Sequence, residues 1–200
     1  MVSKSTDCNY KAYYKTLGFV FGKEISISTP DSAGAYLHVS PLGISLTDSS
    51  VTFDVRACND ATIALMTDDI SVYYVIVIGG ENNTRQYIGR TGGFKTNEAD
   101  VGSFPGLLDC VEYRTFWLSW QGGEIKVGSG HIVNDPISIL ANWTDPDQRV
   151  VKVLAIGTGF GSSGDWIFNK TYPAAPTTSG DFILTSSYTT CFNGSFHIYL

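Results

Sequence analysis

The sequence is short of charge. Lys, Arg, Asp and Glu make up 16% of its 200 residues, against roughly a quarter in an average soluble domain. Basic residues are the scarcer kind, 13 against 19 acidic, for a formal net charge of −6 and a pI near 4.9. Such a molecule repels phosphates, which argues against nucleic acid as a partner. Long apolar runs are missing too. The longest, Val72 to Ile78, is strand-sized and far below the ~18 residues that span a bilayer, so no membrane span is expected. Met1 to Asp7 hold no apolar core of a signal peptide, which leaves a cytosolic protein or a mature form carrying an added Met. No tract carries the apolar period of a three-turn helix, and the Glu/Lys/Leu excess of a coiled coil is lacking. No two of the four cysteines, Cys8, Cys58, Cys110 and Cys191, lie close in sequence. That removes CxxC metal and redox motifs, and no Cys/His spacing for zinc occurs.

What is present is glycine, 21 residues, and aromatics, with 11 Tyr, 11 Phe and 4 Trp. So many aromatics argue against disorder. With 43% hydrophobic residues, the chain can build a full core. Short strands joined by tight turns suit this composition. Val51–Ala57 and Arg114–Trp120 alternate apolar and polar residues, as half-buried strands do. Further strands are expected at 23–28, 36–39, 62–66, 72–79, 86–90, 124–128, 137–142, 152–157, 165–168, 182–185 and 195–200. Glycine-rich turns separate them at 79–80, 92–93, 121–123 and 159–164. About a dozen short strands at this spacing predict an all-β fold, an antiparallel β-sandwich of galectin-like or jelly-roll-like type. One domain over 1–200 is expected, with Ser/Thr/Tyr-rich arms at 1–29 and 169–200 serving as edge strands or oligomer contacts.

The cysteines permit three pairings. Cys58–Cys110 within the domain is expected, with Cys8 and Cys191 joined to each other or to another chain; four free thiols in a cytosolic protein is the alternative. Four glycosylation sequons begin at Asn82, Asn142, Asn169 and Asn193, of which about two arise by chance in so Ser/Thr-rich a chain.

A simple meander counted from Val51 would bring loops 58–60, 79–83, 121–124 and 144–148 to one end of the sheet. Two loops rich in carboxylate and amide would then share an edge. Sugars are held by an aromatic face against the ring and by fixed polar groups on the hydroxyls. Aromatic candidates are Trp143, Trp120, Tyr87 and Phe160. The expected carbohydrate site is Glu81, Asn82, Asn83, Trp143, Asp147 and Gln148. Calcium, which takes 6–8 oxygen ligands, is expected on Glu81, Asn83, Asp145 and Asp147. A glycosidase pair drawn from Glu81, Asp145 and Glu124 would need carboxyls about 5–10 Å apart across a cleft.

Several stretches resemble one known family: Phe53–Leu65, Tyr74–Gly80 with Asn83-Thr84, Phe116–Trp120 with Ile125–Gly128, and Trp143–Pro146 followed by Gly157–Phe168. They are similar to the farnesoic acid O-methyltransferase-like domain over about residues 30–168. The resemblance implies a β module, often extracellular and found beside lectin-like or pore-forming domains. The family pattern has Trp after the Gly-Gly where this chain has Glu81. The family name implies methyl transfer, yet Gly157-Thr-Gly-Phe-Gly161 is followed by a strand pattern, without the helix that a nucleotide-binding glycine turn needs. The expectation is therefore a secreted carbohydrate-binding protein, not an enzyme. It is read as a calcium-assisted lectin that binds glycans, of galactose type, as a homo-oligomer. The alternatives are an enzyme acting on a small lipid or sugar, and a protein-binding innate-recognition module.

Overall fold

The computed structural model describes residues 24–67, 72–90 and 103–170. Among these described residues are eleven strands: β1 (Ile25–Thr29), β2 (Leu37–His38), β3 (Ser50–Ala57), β4 (Ala61–Met66), β5 (Val72–Gly79), β6 (Arg85–Arg90), β7 (Arg114–Ser119), β8 (Glu124–Ser129), β9 (Ile139–Thr144), β10 (Val153–Gly157) and β11 (Gly164–Phe168). Each falls within a residue or two of a strand expected from sequence. The expected strands at 182–185 and 195–200, both arms beyond 24–170, Cys8 and Cys191 lie outside the described residues.

The strands form two antiparallel sheets. One runs β1-β11-β3-β7-β8-β9 and the other β2-β10-β4-β5-β6. This is the β-sandwich that alternation predicts, because each strand turns one face inward. Phe53, Val55, Phe116, Leu118, Ile125, Val127, Trp166 and Phe168 from the first sheet meet Ile63, Leu65, Ile76, Ile78, Ile88, Leu154 and Ile156 from the second, all buried in one core. The rings of Phe53 and Trp166 pack with centroids 5.6 Å apart.

Trp117 is buried outside this core. It stands between the inward Phe116 and Leu118, so its ring lies on the opposite face of β7. There its Nε1–H donates to Ser138 Oγ at 3.0 Å, and the ring covers Gly128, where any Cβ would sit 2.3 Å from it.

Cys58 and Cys110 form the expected disulfide. It ties the β3–β4 turn to the segment that precedes β7.

The ends of the sandwich differ from the meander count. β6 ends at Arg90, yet Ser103 bridges Arg85 at the start of β6. Arg90 and Ser103 thus stand at opposite ends of the sandwich, where the count had kept the long 91–109 segment at one end. Every later connection is therefore reversed. The end called here the cysteine end gathers the turns at 58–60, 80–84, 104–113, 130–138 and 158–163. The opposite end gathers 120–124 and 145–152.

Candidate functional site

The expected shared edge does not form. Asp145 contacts Tyr74 and Arg90, which face each other at the open end of the β5–β6 hairpin. Glu81, Asn82 and Asn83 make the tip of that same hairpin, beyond Gly80, which bridges Arg85. Gly80 lies six positions along the chain from Tyr74, so the two loops stand on the order of 20 Å apart at ~3.3 Å per residue. The set Glu81, Asn83, Asp145 and Asp147 cannot embrace one calcium ion, and the six expected sugar contacts divide into two groups.

The first group is held by Asp145, whose side chain is 0% exposed. It forms an ion pair with Arg90, accepts Tyr74 O–H at 2.6 Å and accepts the Asp147 backbone N–H at 2.9 Å. Arg90 also lies 5.5 Å from the ring centroid of Trp143, which meets Tyr74 edge-on at 5.9 Å. A buried carboxylate needs this many partners. Asp145 is thus the anchor that fastens β9 to the β5–β6 hairpin, and Trp143 is packed into the same anchor. Asp147 pairs with Arg149 at 3.5 Å on the surface. Gln148 lies over Gly123. Glu124 pairs with Lys126 at 2.8 Å.

The second group is a left-handed turn. Glu81, Asn82 and Asn83 all have positive φ, 51°, 60° and 61°. Asn tolerates this conformation, whereas Glu is held there at a cost of about 1–2 kcal/mol. Asn83 is spent on structure: its Nδ2 donates to Leu108 O at 2.8 Å and its Oδ1 accepts Leu108 N–H at 3.0 Å. Hydrogen bonding from Tyr87, and then Arg85 at 3.4 Å, holds the Glu81 carboxyl below the usual Glu value.

A different set of residues builds a concave site at the cysteine end. A cleft of about 130 Å³ is lined by residues 33–36, Asp60, Thr62, Val77 and residues 157–160. Its floor is the outer face of the five-stranded sheet, where Thr62 stands opposite Val77 and Gly157. One wall is the 31–35 segment, which the Asp31–Thr158 bridge holds against the turn after β10. That approach needs glycine: a Cβ on Gly159 would come within 2.7 Å of the Ala33 Cα, and one on Gly157 within 2.5 Å of the Ala35 carbonyl oxygen. The glycine-rich stretch 157–161 therefore serves a close contact between two backbones, and it leads into β11, not into a helix.

Phe160 rises on the rim of the cleft, 77% exposed, in left-handed conformation at φ 52°. Tyr36 lines the cleft further in, and burial pushes its phenol above the ordinary value. Asp60 is the one charged lining residue. Burial raises its pKa above the usual aspartate value, since low polarity disfavours the charged form. An aromatic platform, a single carboxylate acceptor and threonine hydroxyls over a small-residue floor make a surface that stacks on a ring and accepts hydrogen bonds from it. Of these residues sequence reasoning picked Phe160 as an aromatic candidate, and placed Asp60 in a turn without assigning it a role. Tyr36 and residues 33–35 were missed, because the contact joins residues more than 100 positions apart.

The chain resembles known proteins as follows. A family model described as farnesoic acid O-methyl transferase matches residues 34–172. "Uncharacterized protein 5" of Haliotis asinina is 36% identical over 139 residues, covering 68% of this chain and 77% of that protein. Two solved structures are distantly similar. A prokaryotic beta-1,3-1,4-glucanase (lichenase) from a mouse hindgut metagenome has a TM-score of 0.41 and 11% identity, over 72% of this chain and 77% of its own. The Bacillus licheniformis beta-glucanase has a TM-score of 0.42 and 12% identity, over 74% and 79%. With its family match spanning well over half of its length, the chain belongs to the farnesoic acid O-methyl transferase family.

Proposed function

We propose that this is a secreted carbohydrate-binding protein whose sugar site is the cleft between residues 33–36 and 157–160. The observation that carries the reading is Phe160, a large aromatic 77% exposed on the rim of a cleft whose only charged lining group is Asp60. An exposed aromatic face beside a concave polar site is a platform on which a ring can stack. A pyranose presents an apolar face to Phe160 while its hydroxyls reach Asp60 and Thr62. Because the carboxylate has no cation among the lining residues, uncharged sugars are favoured over sialylated, uronic or sulfated ones. The Cys58–Cys110 disulfide supports an oxidising compartment.

Calcium has no part in this reading, since the ligands expected for it lie at two ends of the molecule. A broad glycan array read with and without EDTA is the test. Neutral glycans bind equally in both conditions and fail to bind Asp60→Asn. No binding by folded protein on such an array overturns the proposal.

A second reading, docking of a protein partner, is favoured by Val111, Tyr113, Ile132 and Ile137. These are exposed apolar residues on the loops of the same end, Ile137 to 94%.

A further inference from the structure

We infer that Asn142 is an acceptor for an N-linked glycan. The motif Asn142-Trp143-Thr144 occupies the second half of β9. In an extended strand, residues two apart share a face. Asn142 and Thr144 are accordingly both exposed, while Trp143 between them turns in to Tyr74 and Arg90. The amide nitrogen that accepts the sugar and the hydroxyl that completes the motif thus stand together on the solvent side. Neither is needed by the core.

The position has a physical consequence. Among the described residues β9 is the last strand of its sheet and pairs only with β8. Its other edge is a template for pairing with another chain unless something blocks it. A bulky, hydrated glycan on the outward face of β9 would do so. Of the other described sequons, Asn82 is exposed on the left-handed hairpin tip, where Thr84 Oγ1 donates to the Glu81 carbonyl at 2.7 Å. Asn169 is only half-exposed.

The step is a group transfer with no redox change. The Asn142 Nδ2 attacks the anomeric carbon of a lipid-linked pyrophosphoryl oligosaccharide. The new C–N bond forms as the C–O bond to pyrophosphate breaks. The nitrogen loses one proton, and the lipid pyrophosphate departs with the bonding pair. The inference rests on the secreted reading above, because such donors face the secretory lumen.

The test uses full-length protein from the cells that make it, fractionated into cytosol and secretory or extracellular material and digested with peptide N-glycosidase F. Peptide mass spectrometry should find Asn142 converted to Asp in the secreted material. Asn142→Gln and Thr144→Ala should each remove one step of electrophoretic shift, and Thr144→Ser should keep it. Secreted protein with Asn142 unmodified overturns the inference while leaving secretion standing. Protein found only in the cytosol, with Cys58 and Cys110 reduced, overturns the secreted reading and the inference with it.

Discussion

Asp145 and Asp60 show how surroundings divide one residue type between two tasks. Asp145 is buried under Tyr74 and Arg90 with each oxygen engaged. Asp60 faces a cleft that holds no cation. Asp145→Ala is expected to destabilise the fold by about 3 kcal/mol in urea denaturation, because Arg90 is left without its buried partner. It should leave affinity at the cleft unchanged, since the two sites lie at opposite ends. Gly128→Ala forces a methyl into the Trp117 ring and should cost about 1–3 kcal/mol by overpacking. Neither role was legible beforehand. Asp145-Pro146 reads locally as an acidic turn, and nothing near it in sequence announces that Tyr74 and Arg90 will close over it. Trp143 was expected as a sugar contact, and its ring packs against Tyr74 and Arg90 of its own chain.

Among elements, the strands were the legible part. Alternation is a local signal, so β3 and β7 stand within a residue of where it placed them. Connections were not legible: Arg90 and Ser103 stand at opposite ends of the sandwich, which alternation does not announce, and that difference alone puts loop 145–148 at the wrong end of a meander. The Cys58–Cys110 pairing was foreseen. It closes a span of 52 residues, so reduction should lower the unfolding free energy by about 4 kcal/mol in the chain-entropy account. Urea titration with and without dithiothreitol measures this. The hairpin tip gives a further expectation. Glu81→Gly removes a side chain from a left-handed position and should raise stability by up to about 1 kcal/mol, with glycan affinity unchanged.

The whole molecule is weakly charged, and its response to acid depends on a few carboxylates. Asp109 is held below the usual value, first by the backbone N–H of Val111 and then by those of Glu112 and by Arg114. Asp165 is held low by Ser28 and then by Arg56. A lowered folded pKa contributes stability above the unfolded value that is lost as pH falls through the folded one. Thermal stability should therefore drop below about pH 4, where free aspartate takes up its proton. Asp60 acts in the other direction. Its raised pKa means that the acceptor at the cleft is lost at a higher pH than ordinary aspartate chemistry would set, so sugar binding should fade before the fold does. Calorimetric titration of a bound glycan as pH is lowered, run beside thermal melts, measures the order of the two losses. The most direct test of the account is calorimetric titration of a neutral glycan, selected on the array, into wild-type and Phe160→Ala protein at neutral pH. Phe160→Ala should weaken affinity about tenfold or more, with an unchanged unfolding midpoint. Wild-type affinity in Phe160→Ala protein would contradict it.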